Sequence, residues 1–277
     1  MSISIIAPYD ISLAAGLEFY PSAGSPIVIR MIDYNAGVPS SEYSVDACTK
    51  LLLHMNGTDG SQVFTDETGK SVTANGNAQI DTALSKFGGA SGLFDGNGDG
   101  LSLVDSDDWY LGTSDGAIDF WAYQTVAATA MFVCQGVADW GFYCYPDGKV
   151  AVGIPAVSEL TTVAGVFPLN TLTHILVSRT QSTNTTKIFI NKVEKASGTG
   201  TYFGGSVETM TIGVRGTNSY PFTGSLDEFR FTKGNNRIAP LYLTSSPAAT
   251  HKFSIPGNSI ADIVDCLNYL ENLLGGT

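Results

Sequence analysis

Apolar and polar positions alternate with a period of two along the middle of the chain. In residues 117–123 (Ala-Ile-Asp-Phe-Trp-Ala-Tyr), Ile118, Phe120 and Ala122 fall on one face and Asp119, Trp121 and Tyr123 on the other, as in a strand with one buried side. Short apolar runs recur at 51–54, 131–134, 141–145, 150–154, 172–178, 187–191, 210–213 and 226–231. Turn formers separate them. Pro146-Asp-Gly148 combines a fixed φ with a glycine free to take positive φ, and the polar stretch 181–185 joins two further strands. Many short strands with turns every ~8–12 residues, and no amphipathic helix among them, predict an all-β fold: a two-sheet antiparallel jelly-roll sandwich over 48–243.

The two ends read differently. Residues 1–47 hold β-prone pieces (2–6 and 27–32) between Gly, Pro and Ser breaks, and are expected as an N-terminal arm. A linker is expected over 244–258 and a helix over 259–275. Asn258 or Ser259 suits its N-cap, Asp262 its first turn and Gly275-Gly276 its end. Ile260, Ile263, Leu267, Leu270 and Leu274 are spaced 3, 4, 3, 4, which is a heptad seam. A helix this short needs a surface to pack on. Two surfaces compete: the chain's own β domain, or copies of itself in a homotrimer, which the Ile-rich seam favours.

Composition narrows the classes of partner. Fourteen Lys+Arg against 26 Asp+Glu give the 277 residues a net charge of −12, a poor match for nucleic acid or anionic lipid. No apolar run nears the ~20 residues of a membrane span, and residues 1–10 lack the basic flank of a signal peptide. The acidic excess suits solubility and is compatible with calcium. Cys48, Cys134, Cys144 and Cys266 show no metal or redox spacing. Cys134 and Cys144, on two strands of one hairpin, could face each other, although free buried thiols are the favoured reading. His54, His174 and His251 lie far apart without metal-ligand spacing.

Ordered blocks carry a resemblance. Leu51-Leu-Leu-His-Met-Asn-Gly57, Phe64-Thr-Asp-Glu-Thr-Gly-Lys70 and Phe87-Gly-Gly-Ala-Ser-Gly-Leu-Phe-Asp-Gly96 are followed by Leu101-Ser-Leu, the 118–121 strand, Lys187-Ile-Phe-Ile-Asn191 and Phe222-Thr-Gly-Ser-Leu-Asp-Glu-Phe-Arg-Phe231. Over roughly residues 49–240 the chain resembles laminin-G-like, concanavalin-A-like jelly rolls, and its Ser-Lys-Phe-Gly-Gly-Ala-Ser-Gly block is similar to domains of bacteriophage tail and fibre proteins. The resemblance implies two curved sheets, rim loops used for binding, often a structural calcium, and a virion setting. A calcium site of the family kind would combine Asp227 with loop oxygens near Asn56, Gly57 or Asp95.

Candidate chemistry is sparse. Asp95-Gly-Asn-Gly-Asp-Gly100 opens like an EF-hand loop, but Ser106 stands where the bidentate Glu belongs, so a glycine-rich turn is favoured. Asn56, Asp95, Asp99 and Asp227 are the candidate calcium ligands. Asp108-Trp-Tyr110 and Asp139-Trp-Gly-Phe-Tyr143 supply candidate stacking platforms for sugars, with Trp109, Tyr110, Trp140 and Tyr143 as the rings. The sequons at Asn56 and Asn184 read as chance. Glycosidases need two carboxylates about 5 Å or 6.5–9.5 Å apart. Asp119 stands alone on its strand, while Asp227 and Glu228, as neighbours, are expected on opposite faces. The expectation is a non-enzymatic bacteriophage virion protein displayed on the particle surface. It would bind other virion proteins and host-surface polysaccharide, with no nucleic-acid partner and no membrane insertion. The alternatives are a purely structural decoration, collar or head-fibre protein and, least favoured, a glycan-cleaving enzyme.

Overall fold

The computed structural model describes residues 41–238, apart from 113, 137–139, 155–157, 201, 205–207 and 217–218, together with the backbone of five strands nearer the ends. In chain order the strands begin with β1 (Ile5–Ile6), β2 (Leu17–Tyr20), β3 (Val28–Ile32), β4 (Thr49–Leu53), β5 (Thr73–Asn75), β6 (Gln79–Asp81) and β7 (Ser91–Asp95). Next come β8 (Gly100–Leu103), β9 (Gly116–Gln124), β10 (Ala130–Gln135), β11 (Gly141–Cys144), β12 (Val150–Ile154), β13 (Ser158–Thr161) and β14 (Thr173–Thr180). The last are β15 (Thr185–Ile190), β16 (Val193–Thr199), β17 (Met210–Ile212), β18 (Thr223–Lys233), β19 (Pro240–Thr244) and β20 (Phe253–Ser254). Among the described residues the helices are single 3-10 turns, Asp107–Trp109 and Gln181–Thr183.

Residues 36–238 form one unit of two antiparallel sheets. One has seven strands in the order β13-β12-β11-β10-β17-β8-β5. The other has eight, in the order β16-β15-β14-β9-β18-β7-β6, with β4 also paired to β18. Residues 1–35 and 239–277 form a second unit, in which β3 lies between β2 and β19 and β1 pairs with β20. The heptad residues Ile260, Ile263, Leu267, Leu270 and Leu274 lie outside the described residues, as does Cys266.

The alternation of residues 117–123 is realised in β9. Ile118, Phe120 and Ala122 enter the core between the sheets, and Asp119 and Trp121 point away from it. Phe120 meets Phe132 and Phe142 of the other sheet at centroid distances of 5.0 and 5.6 Å, and stacks on Phe229 of its own sheet at 5.3 Å. Each buried ring contributes about 1.5–3 kcal/mol from desolvation, so this aromatic cluster is what closes the two layers. Cys134 and Cys144 are both free. Cys144 faces the core, whereas Cys134 belongs to a small cluster on the outside of the same sheet. A register shift between Met131 and Val133 sets that arrangement, so the two thiols do not face each other.

A bulge in β18 reshapes the other sheet. Asp227 pairs with Trp121 and Arg230 with Asp119, so Glu228 and Phe229 together oppose Phe120. Glu228 sits at φ 52°, a left-handed conformation that costs a non-glycine residue about 1–3 kcal/mol. The extra residue breaks strict alternation. Leu226, Phe229 and Phe231 face the core, and both Asp227 and Glu228 project outward with Arg230. The expectation that neighbouring acids must split between faces fails here for that reason.

Candidate functional site

The outer face of the eight-stranded sheet holds a buried polar network. Arg230 donates from Nε to Asp119 Oδ1 at 3.0 Å and from Nη2 to Oδ2 at 2.6 Å. Asp119 is therefore not solitary: its partner comes from the next strand. Tyr43 lies over this pair, its ring 4.0 Å from the Arg230 guanidinium carbon and its hydroxyl 3.0 Å from His174 Nε2. Burial holds His174 neutral, with its pKa pushed down to about 4, and pushes the Asp227 carboxyl up to about 6. Asp227 Oδ2 accepts from the backbone N–H groups of Lys86 (2.6 Å) and Phe87 (3.3 Å), tying down the Ser-Lys-Phe-Gly-Gly block. Trp121 is in register with both His174 and Asp227, and Lys86 Nζ lies 4.2 Å from its ring centroid. Trp121 Nε1, His174 Nδ1 and Asp227 Oδ1 are buried without a hydrogen-bond partner.

Next to this network, Glu228 Oε2 accepts from Tyr43 N at 2.8 Å and Oε1 lies 2.8 Å from His54 Nδ1. Glu42 joins them. One ligand atom each from Glu42, His54 and Glu228 lies within 4.8 Å of the others, a convergence that spacing along the chain gave no hint of.

The outer face of the seven-stranded sheet is built differently. Tyr143 and Tyr145 follow one another at a spacing of two, so both turn away from the core, with ring centroids 5.5 Å apart. Both phenols donate to Glu159 of β13, Tyr145 at 3.0 Å to Oε2. The small residues Ala151 and Gly153 on the intervening strand leave the gap that Tyr143 reaches across. Gly153 cannot be replaced cheaply: it has φ 133°, and a Cβ there would sit 2.2 Å from the Ser158 carbonyl oxygen. Burial and Glu159 push both phenol pKa values up, so both groups stay protonated donors. Tyr145, Pro146, Asp147, Lys149, Glu159, Thr161 and Thr162 line an open pocket of about 710 Å³. Thr161 Oγ1 has no hydrogen-bond partner. A half-buried ring, two carboxylates and an ammonium around a shallow opening are groups that stack on a sugar and bond its hydroxyls.

The candidates read from sequence are scattered by the fold. Trp109 and Trp140 are core residues, 0% and 1% exposed. Their indoles donate to the Val104 carbonyl and to Gln135 Oε1, and their rings pack on Phe231 and Phe203. Neither offers a platform, because a ring that large gains more from the core than from a rim. Tyr110 is 40% exposed, whereas Tyr143 is 1% exposed and acts by orienting Glu159 beside Tyr145. Of the calcium candidates, Asp99 accepts N–H groups on both carboxylate oxygens, from Asn77 and Asp95, and so staples a turn in which Gly96 and Gly98 take positive φ. Asp95 accepts from Asn97 N, and Asn56 donates to Glu42 Oε1. N–H donors thus occupy both carboxylate oxygens of Asp99 and one of Asp227.

Sequence comparison identifies the relatives of this fold. A family model of the concanavalin A-like lectin/glucanases superfamily matches residues 95–235. The chain belongs to this superfamily. The laminin-G-like resemblance and the jelly-roll expectation are thereby borne out. No curated protein matches the chain. Among solved structures similar to this superfamily member is domain 4 of AbnA, a GH43 extracellular arabinanase from Geobacillus stearothermophilus in complex with arabinotriose. It is 23% identical, with a TM-score of 0.49 over 68% of this chain and 94% of that one. Another is the binding domain of botulinum neurotoxin serotype D, at 11% identity and a TM-score of 0.51, covering 68% of this chain and 49% of that one. The binding domain of botulinum neurotoxin DC in complex with SialylT is 12% identical with a TM-score of 0.50, covering 82% and 52%. The chain spans about half the length of these toxin domains, and the likeness to them is one of fold.

Proposed function

We propose that this chain is a carbohydrate-binding jelly roll whose saccharide site is the pocket beside Tyr145 and Glu159. The observation that carries this reading is the pairing of a half-buried tyrosine ring with a carboxylate fixed by two phenols, at the side of an open pocket. Membership of a superfamily named for lectins and glucanases supports it. The ligand is a neutral sugar: Glu159 and Asp147 outnumber Lys149 in the lining, and the whole chain carries −12, which disfavours anionic glycans. An open site covers little of its ligand, so affinity is weak, of order 1 mM or about −4 kcal/mol per site. Copies joined in a trimer would raise avidity.

The setting we propose is the surface of a bacteriophage particle, with copies joined through Ile260, Ile263, Leu267, Leu270 and Leu274. The fibre-like block at 85–92 and the 3, 4, 3, 4 apolar spacing support it. A glycan array with neutral and sialylated members tests the binding, followed by titration of Tyr145→Ala and Glu159→Gln. Neutral hits that both variants weaken at least tenfold are expected. A blank array, or hits indifferent to both variants, leaves the purely structural decoration reading in place. Light scattering of a chain ending at Ser246 tests the trimer separately.

A further inference from the structure

We propose that Glu42, His54 and Glu228 form a binding site for a divalent transition-metal ion of the zinc or cobalt kind. The proposal stands apart from the saccharide pocket, which lies on the other sheet. Glu42 comes from the lead-in before β4, His54 directly follows β4, and Glu228 comes from the bulge of β18. Their ligand atoms already lie within 4.8 Å of one another. Around a tetrahedral zinc with N and O ligands at about 2.0–2.2 Å the ligand atoms stand about 3.4 Å apart, so His54 Nδ1 and Glu228 Oε1, now 2.8 Å apart, open slightly while Glu42 closes in.

The surroundings are organised as metal ligands require. Glu228 is fully buried and is held in a left-handed conformation that aims it here. Its second oxygen is fixed by Tyr43 N at 2.8 Å, and Glu42 Oε1 is fixed by Asn56 Nδ2 at 2.9 Å. A hydrogen bond joins His54 Nδ1 and Glu228 Oε1 at 2.8 Å, and a bound ion takes its place. One imidazole and two carboxylates suit zinc or cobalt, whereas calcium demands six to eight oxygens. Glu42 is exposed and His54 partly so, giving the ion a way in and leaving a coordination position for water. Bound metal would fasten the segment carrying Glu42 and Tyr43 onto the sheet.

The test uses the full chain with Zn²⁺ and Co²⁺ as probes, in the wild type and in a Cys48→Ser/Cys266→Ser background that removes adventitious thiol ligands. Expected are one ion per chain by calorimetry, visible absorption of low-symmetry Co²⁺, and a melting temperature about 5–10 °C higher at a hundredfold excess of Zn²⁺ over Kd. Calcium should give no shift. Glu42→Gln and His54→Gln, both at accessible positions, should each weaken binding at least tenfold. Failure to take up Zn²⁺ overturns the proposal, as does uptake that survives both substitutions or disappears in the Cys48→Ser/Cys266→Ser background.

Discussion

The two outward faces of the sandwich solve opposite problems. On the eight-stranded sheet, polypeptide carrying Tyr43 lies over Asp119, Arg230 and His174, and almost every charge there answers another within the protein. On the seven-stranded sheet, Tyr143, Tyr145 and Glu159 are also bonded to one another, but the surface beside them stays open. The first arrangement makes one layer rigid. The second holds an aromatic ring and a carboxylate in place while leaving their outer sides free, which is the condition for recognising something else.

That contrast can be broken in order of effect. Asp119→Ala strands Arg230, whose side chain is 12% exposed, without its carboxylate, and should cost about 3–5 kcal/mol in urea unfolding. A loss under 1 kcal/mol would show the network to be incidental. Next come two opposed titrations on the same face. Asp227, with its pKa pushed up to about 6, binds more protons folded than unfolded between about pH 4 and 6, so its contribution falls as pH rises. His174, pushed down to about 4, binds fewer protons folded than unfolded below its ordinary 6.5, so its contribution rises with pH. Each is worth up to about 3 kcal/mol, and wild-type stability should stay nearly flat across pH 4–6.5. Asp227→Asn should unmask a rise with pH and His174→Gln a fall. Unchanged slopes in both variants would mean the two groups are less buried than the structure places them.

The seven-stranded face should be milder. Tyr143→Phe removes one phenol from Glu159 at a cost of about 0.5–1.5 kcal/mol, and weakens sugar binding by releasing the carboxylate. Tyr145→Ala should change stability least, about 1 kcal/mol or less, while reducing binding at least tenfold. If Tyr145→Ala unfolds the protein as severely as Asp119→Ala, the pocket is a part of the scaffold and the distinction between the faces falls.

Much of the fold was legible because local pattern and burial agree. The alternation at 117–123 became β9 with its faces as read, and Pro146-Asp-Gly148 became the turn after β11. The site was less so. Trp109 and Trp140 stand beside polar residues and glycines, which reads as rim, yet their area takes them into the core. Period-two reasoning placed Asp227 and Glu228 on opposite faces, but a bulge depends on the partner strand and is invisible along one strand alone. His54 meets Glu228 across a separation of 174 positions in the chain, a distance no motif spans. Tyr143 was among the candidate rings but Tyr145 was passed over, although a spacing of two puts both on one face of a strand. Glu159 was not readable, since its place depends on how β12 and β13 register.

The pairing of β3 with β19 brings Ile32 opposite Pro240. A stretch of more than two hundred residues thus departs and returns at points about 5 Å apart, one strand spacing. Such a layout makes the whole of residues 33–239 an insertion between two paired strands of the second unit, so the polypeptide of that unit is completed only after the jelly roll has been made.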